Sequence, residues 1–286
     1  MKRWAHSLPF IAFAAVLLYL FVPVCATLLY SMATSWNKTI LPEGLTLHWF
    51  GQLFQDTRFV QAFGRSLLLS GAATFTAVLV IVPATFAIAL YAPRLERWMQ
   101  SLVMLTYAVP GVIMAVGLIR AYSGKGLSMI IIVFGAYVIG MLPFMYQGTR
   151  NSLRAVQAGS LMEAAELLGA SRMTAFLRVI VPNIMPGILV SALLSFSLLF
   201  GEFVLINILV GGRFETMQLY LYAQLNTSGH IASAISVTYF ILMGMLSAWI
   251  VKLTARASKP MAEPRDVETT TAAVPTAKAI MSKEAS

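Results

Sequence analysis

Charged residues are scarce in this sequence of 286 residues. They make up 11% of the chain, whereas 59% of it is hydrophobic; soluble domains carry about 25% charged residues. This shortage excludes an ordinary soluble globular protein and leaves no stretch long enough for a separate soluble domain. We therefore expect one membrane domain over residues 1–255. The tail at 256–286 is rich in Pro, Ala, Thr and charge, cannot bury a core, and is expected to be disordered.

Motifs of catalytic and metal-binding proteins are also missing. Cys25 is the only cysteine, which excludes a disulfide within the chain. His6, His48 and His230 lack the spacing of metal ligands. The Gly-Lys-Gly sequence at 124–126 is too short for a phosphate-binding loop, and no serine lies in a nucleophile elbow. The sequence therefore predicts no metal, no cofactor and no ATP hydrolysis by the chain itself.

Long uncharged runs predict the architecture. Each of six runs reaches or exceeds the roughly 20 apolar residues that a helix needs to cross a bilayer. The runs are 8–32, 66–91, 99–119, 127–147, 179–210 and 231–251. We expect an all-α membrane protein with six transmembrane helices. No strict Gly-x-x-x-Gly occurs, so close helix packing is expected at looser small-residue spacings such as Gly244 with Ala248.

The basic residues between these runs predict the orientation. With the N-terminus on the inner side, eleven Lys and Arg flanking the spans lie inside and six lie outside. This asymmetry satisfies the positive-inside rule. Both termini and the 150–180 loop are then cytoplasmic. The net charge of +9 is accounted for by topology, and no nucleic-acid partner is expected.

The polar 150–180 segment between the fourth and fifth runs has the signals of a helix–turn–helix. Ser160 followed by Glu163 has the spacing of a capping box, which predicts a helix start. Gly169 stands where a helix commonly ends in a left-handed residue. Ser171 can cap a second short helix, and Pro182 opens the next apolar run.

This segment resembles the EAA loop of the permease subunits of ATP-binding-cassette (ABC) importers. That pattern is Glu-Ala-Ala, three residues, Gly, nine residues, an aliphatic, one residue, an aliphatic and Pro. The matching residues are Glu163, Ala164, Ala165, Gly169, Val179, Val181 and Pro182. The resemblance implies the type I importer permease fold over about 66–251, with the loop as a coupling helix that docks into a groove of a cytoplasmic ATPase. The alternative is an ordinary amphipathic interfacial helix.

The resemblance also implies partners and a location. These are an ATP-binding subunit acting as a dimer, a second permease subunit that is either a different chain or a second copy, an extracytoplasmic solute-binding protein and the lipid of a bacterial plasma membrane. The sequence around 36–50 is similar to aminoethylphosphonate-type permeases, and Gly-acidic-Phe at 201–203 is similar to polyamine-type ones. Ferric-chelate importers share the architecture. An ion-coupled secondary transporter and a non-transporting scaffold are the alternatives from other classes.

Glu202 is the only charged residue or histidine within the six runs. Such residues in membrane helices usually face a partner or a cavity. One hypothesis is that Glu202 lines a translocation path and meets an amine-bearing solute; the other is a structural carboxyl that bonds another helix. The candidate path residues are Glu202, Asn207, Ser197, Tyr107 and Tyr146.

Overall fold

The protein is described here from a computed structural model, which places residues 2–36 and 40–257. These residues are almost entirely helical, and they contain no β-structure beyond one isolated bridge between Ala33 and Leu45. The helices are α1 (Lys2–Ser31), α2 (His48–Gln55), α3 (Thr57–Tyr91), α4 (Pro93–Ala108), α5 (Gly111–Tyr122), α6 (Met129–Gly140), α7 (Leu142–Ala155), α8 (Ala158–Leu167), α9 (Arg172–Ala175), α10 (Val181–Phe200), α11 (Val204–Leu209), α12 (Met217–Leu225) and α13 (Gly229–Ala257). The predicted tail lies outside these residues except for its first two positions.

Five helices of the described chain are long and apolar enough to cross a membrane, and the count is six if a bent pair of helices is taken as one span. The bent pair is α4 with α5, whose axes differ by 98°. Pro110 caps the start of α5 and lacks the N–H that a continuous helix would need there. The structure therefore supports five to six spans, and the third predicted run corresponds to the bent pair.

The fifth predicted run, 179–210, is not one helix. A π-helical turn, Phe176–Ile180, joins α9 to α10, and α10 ends at Phe200. Glu202 lies in the break before α11 and not inside a helix, so its predicted place within a continuous span is wrong. At the break, the Glu202 side chain accepts from backbone N–H groups of α11, where a new helix starts.

The chain reverses at two ends of the helix bundle. The end that carries α8 and α9 is called the loop face, and the end that carries α2 and α12 is called the far face. One core cluster, including Phe86, Met145 and Phe176, lies towards the loop face, and another, including Phe59 and Tyr220, lies towards the far face. The apolar stretch of α1 is almost entirely exposed in this chain, although its last residue, Ser31, is buried.

The expected close packing at Gly244 is wrong. A Cβ at this position would meet no atom within 4 Å, whereas a Cβ at Gly148 or Gly187 would collide with a facing helix. The close approach is between α7 and α10, whose small residues face each other in the middle of the fold.

Candidate coupling loop and the Glu202 site

The loop between α7 and α10 forms a reversed pair of short helices. Gln157 adopts a left-handed conformation with φ 50° and turns the chain from α7 into α8. Because this turn lets α8 begin at Ala158, Ser160 and Glu163 lie inside the helix and no side chain caps its first turn. The predicted capping box is therefore wrong.

The end of α8 and the start of α9 agree with the sequence prediction. Gly169 has φ 83°. The N–H of Ala170 donates to Ala165 O, five residues earlier, at 3.0 Å, which is the hydrogen bond of a Schellman motif. Ser171 Oγ accepts from the N–H of Thr174 at 3.3 Å and caps α9. The turn at Gly169 and the cap at Ser171 are confirmed.

Side chains of the loop anchor it to the end of α3. Arg172 pairs with Glu166 at 3.2 Å and lies over the ring of Tyr91, 5.1 Å from its centroid. Phe176 packs on Phe86 with ring centroids 4.3 Å apart. These contacts fix the position of α8 and α9 relative to the bundle.

The outward surface of α8 is apolar at its end and acidic nearer its middle. Ala165 is buried against the bundle, whereas Glu163 and Ala164 are exposed. Leu167 and Leu168 are 88% and 89% exposed. Sequence reasoning missed the two leucines. Their position directly before a helix-ending glycine is a signal that could have identified them, because a side chain there projects from the tip of the loop.

The remaining residues of the EAA pattern lie where the loop returns to the bundle. We call α7 and α10, which lead into and out of the loop, its two stems. Val179 and Val181 are half-buried and pack on the core near the loop face. Pro182 is exposed in the first turn of α10. The structure thus divides the pattern into an outward surface on α8 and a packed stem at the start of α10.

A second anchor, which sequence reasoning missed, links α7, the stem that leads into the loop, to α4. Glu96 in the first turn of α4 pairs with Arg150 and, at 3.0 Å, with Arg154, both on α7. The three side chains line a cavity of about 510 Å³ together with Gln157 and Ser160 at the start of α8. Charged contacts therefore join α7 to α4 close to the start of α8.

The carboxylate of Glu202 is engaged within the chain. Its Oε1 accepts from the N–H of Leu205 at 2.7 Å. Its Oε2 accepts from the Tyr137 hydroxyl at 2.8 Å and from the N–H of Ile206 at 3.3 Å. All three donors belong to this chain, so the side chain joins α6 to the start of α11. This geometry supports the structural hypothesis, in which Glu202 bonds another helix, here α6 through Tyr137.

The other path candidates are dispersed. Asn207 is exposed on α11 and lines a cavity of about 720 Å³ beside the α5–α6 turn. The Ser197 hydroxyl lies 3.2 Å from the Tyr239 hydroxyl of α13. Tyr107, 62% exposed at the end of α4, packs edge-on against Phe144.

Tyr146 lies apart from the exposed candidates. Its side chain, on α7, is 1% exposed and packs in the core of the bundle, so it borders no open space within this chain. Among the described residues, no three His, Cys, Asp or Glu side chains are grouped so that they could hold a metal.

The chain is similar to known proteins in sequence and in fold. The profile of the family described as "Binding-protein-dependent transport system inner membrane component" matches residues 81–259. The chain is 26% identical over 246 residues to the putative 2-aminoethylphosphonate transport system permease protein PhnV of Salmonella typhimurium, which covers 85% of this chain and 91% of that protein. It is 23% identical, with the same two coverages, to the spermidine/putrescine transport system permease protein PotC of Escherichia coli.

Solved structures share the fold. A chain of a bacterial ABC transporter involved in the import of the acidic polysaccharide alginate superposes with a TM-score of 0.68 at 19% identity, covering 90% of this chain and 96% of that one. A chain of the inward-facing MetNI methionine ABC transporter gives 0.58 at 18% identity, covering 70% and 96%. The profile match includes the whole of the α8–α9 loop.

Proposed function

The chain belongs to the family of binding-protein-dependent transport system inner membrane components, and from this premise we propose that it couples an ATPase to solute import through α8. Members of the family are permease components of ABC importers and not catalytic subunits. The single observation that carries the proposal is the outward surface of α8, on which Glu163 and Ala164 adjoin the exposed Leu167 and Leu168.

This surface fits a groove on an ATPase subunit. Burying a leucine side chain is worth about 1.5–3 kcal/mol, so two largely exposed leucines can supply much of a docking free energy. Glu163 would pair with a basic residue at the edge of the groove. Ala164 offers no bulk, which lets the groove approach the helix closely. Two ATPase subunits closing on ATP would then displace α8 and its counterpart on a second permease subunit.

The anchors of the loop support transmission of this displacement. Tyr91 and Phe86 hold α9 and the π-helical turn against α3, and Glu96 holds α7 against α4. Closure of the ATPase pair would move the loop-face ends of α3, α4 and α7 as one group. An interface with two stable arrangements would convert the movement into a switch between inward-open and outward-open states.

For the solute we propose an amine-bearing molecule, either a polyamine such as spermidine or putrescine, or 2-aminoethylphosphonate. The two relatives named above, whose names specify these solutes, support this choice. An extracytoplasmic binding protein would deliver the solute to the far face. A ferric chelate is the alternative within the class. Ion-coupled transport would require an ionisable group that exchanges its partner, whereas Glu202 is held by three donors of the chain.

Reconstitution tests this function. The permease, its ATPase, the second permease and the binding protein encoded beside them would be placed in proteoliposomes. Uptake of radiolabelled spermidine, putrescine and 2-aminoethylphosphonate would then be measured. We expect uptake that requires ATP and persists when ionophores collapse all ion gradients. Calorimetry on the binding protein identifies which solute is carried. Uptake without ATP that stops on addition of ionophore would contradict the proposal and favour a secondary transporter.

We also propose that both termini and the loop face are cytoplasmic. In a variant with Cys25 replaced by Ala, a cysteine at Ser228 on the far face should react with a membrane-impermeant maleimide added outside intact cells. A cysteine at Ser258, directly after α13, should react only after the membrane is opened. The reverse pattern would place α8 on the wrong side for an ATPase.

A further inference from the structure

The helices α7 and α10 approach each other most closely at two glycines. A Cβ added at Gly148 would lie 1.7 Å from Ser191 Oγ and 2.8 Å from its Cβ. A Cβ added at Gly187 would lie 1.8 Å from Ser152 Oγ and 2.9 Å from its Cβ. Non-bonded carbon atoms prefer separations of about 3.5–4.0 Å, so neither position tolerates a side chain. Each glycine provides the space that a serine of the opposite helix fills.

The contact is reciprocal and its polar groups are satisfied. Ser152 Oγ donates to Gly148 O at 2.8 Å, and Ser191 Oγ donates to Gly187 O at 2.9 Å. Each helix therefore carries a Gly-x-x-x-Ser pair, and the two pairs face each other in antiparallel order. Because each hydroxyl bonds within its own helix, the crossing depends on shape, as in close packing of small residues in membrane helices. We call these four residues the glycine–serine crossing.

The crossing lies where the two stems of the loop meet. The chain leaves α7 through the left-handed Gln157 into α8, and it returns through the π-helical turn Phe176–Ile180 into α10. These two irregular points lie between the crossing and the loop. A push on α8 can therefore bend the stems independently unless something holds them together. The crossing is a tight contact, and it involves both stems directly.

On the premise that the proposed function holds, we propose that the glycine–serine crossing positions the two stems for energy coupling. It keeps α7 and α10 together as one body, so that displacement of α8 by the ATPase moves the membrane core and is not lost in sliding of the stems. Its four members act through this geometry and touch no solute. Glycines elsewhere in spans, such as Gly135 and Gly244, have no atom within 4 Å of an added Cβ and serve no such contact.

The test compares transport with ATP hydrolysis in the assembled complex in proteoliposomes. Gly148→Ala and Gly187→Ala each force the stems apart, and we expect the solute carried per ATP hydrolysed to fall about tenfold, the scale of overpacking a tight contact. Assembly and ATP hydrolysis should persist. Gly244→Ala is the matched control and should keep the wild-type ratio, because its added methyl group meets no neighbour.

Second-site variants give the decisive result. In Gly148→Ala combined with Ser191→Gly, the obstructing side chain is gone and the nearest remaining atom is Gly187 O at 3.8 Å from the new Cβ. This matched pair should recover the transport ratio. Gly148→Ala combined with Ser152→Gly removes the wrong serine and should not recover it. Ser191→Gly alone measures the cost of the second change.

The outcomes separate this inference from the proposed function. If the wild-type complex shows no ATP-dependent uptake, the proposed function itself fails. If the wild type transports and Gly148→Ala keeps its ratio, only the coupling role of the crossing is overturned. A single variant that does not assemble, or equal recovery by the matched and mismatched pairs, also overturns it, because the crossing would then be merely structural.

Discussion

Replacing Glu202 tests whether its carboxylate holds the fold or meets the solute. In the structure the side chain accepts three hydrogen bonds, from the Tyr137 hydroxyl and from the N–H groups of Leu205 and Ile206. Glu202→Gln keeps the size, but its amide has one acceptor oxygen in place of two and no charge. The Tyr137 hydroxyl can turn and accept from the new NH₂, whereas at least one N–H at the start of α11 loses its acceptor.

The expected cost follows from these bonds. Hydrogen bonds to charged groups contribute about 1.5–3 kcal/mol each, and a favourable charge at a helix N-terminus contributes about 0.3–1 kcal/mol. Since most contacts survive in Glu202→Gln, we expect a loss of about 1–2 kcal/mol of stability. Glu202→Leu removes all three bonds and should lose roughly 5 kcal/mol or more. Tyr137→Phe removes one bond and should resemble Glu202→Gln.

Thermal denaturation of the purified complex measures these losses, and uptake normalised to assembled complex measures function. We expect melting temperatures to fall in the order wild type, Glu202→Gln, Glu202→Leu, with near-normal transport by the complex that assembles with Glu202→Gln. Tyr239→Phe is the control, because its hydroxyl bonds the neutral Ser197, and it should lose less than Tyr137→Phe. Abolished transport by Glu202→Gln at an unchanged melting temperature would refute the structural role and support a charge in the path.

Two further variants test other parts of the structure. Gly169→Val places a β-branched residue at φ 83°, which is strongly disfavoured; we expect normal membrane insertion and lost uptake, and wild-type uptake would remove the coupling-loop claim. Tyr220→Phe removes the 2.6 Å bond to Asp56 Oδ2, the main cause that holds the pKa of Asp56 below 3.8. That bond stabilises the fold above pH 3.8 and is lost as pH falls through the lower folded-state pKa. The variant should therefore lose roughly 1–2 kcal/mol at neutral pH, and its difference in melting temperature from wild type should shrink in acid; a difference that is constant with pH would contradict this.

The spans were predictable because a helix that crosses lipid must consist mainly of apolar residues. A run without charge over about 20 residues has few alternatives to a membrane helix, and the turn at Gly169 needed only local backbone preference. The break after Phe200 was not predictable in the same way. No proline marks it and the apolar residues continue past it, so it depends on a side chain bonding to backbone groups that follow it.

The contacts that organise the loop depend on tertiary structure. Glu96 and Arg150 are 54 positions apart, and nothing local indicates that their helices meet at the loop face. Gly148 and Gly187 each begin a Gly-x-x-x-Ser pair, a common pattern whose significance appears only when α7 and α10 are known to face each other. The predicted capping box was wrong although Ser160 and Glu163 fit the motif. The left-handed turn at Gln157 starts α8 at Ala158, so both residues lie inside the helix.

The docking surface on α8 can be tested without a transport assay. Leu168 is 89% exposed, so Leu168→Glu should leave the fold of the chain intact, while the loss of one buried leucine contact weakens ATPase binding about 10- to 100-fold. Leu225→Glu, at an exposed leucine of α12 on the far face, is the matched control. The measurement is the amount of ATPase that copurifies with the tagged permease from detergent-solubilised membranes. We expect a strong loss of ATPase with Leu168→Glu and wild-type recovery with Leu225→Glu. Equal recovery of the ATPase with both variants would contradict it.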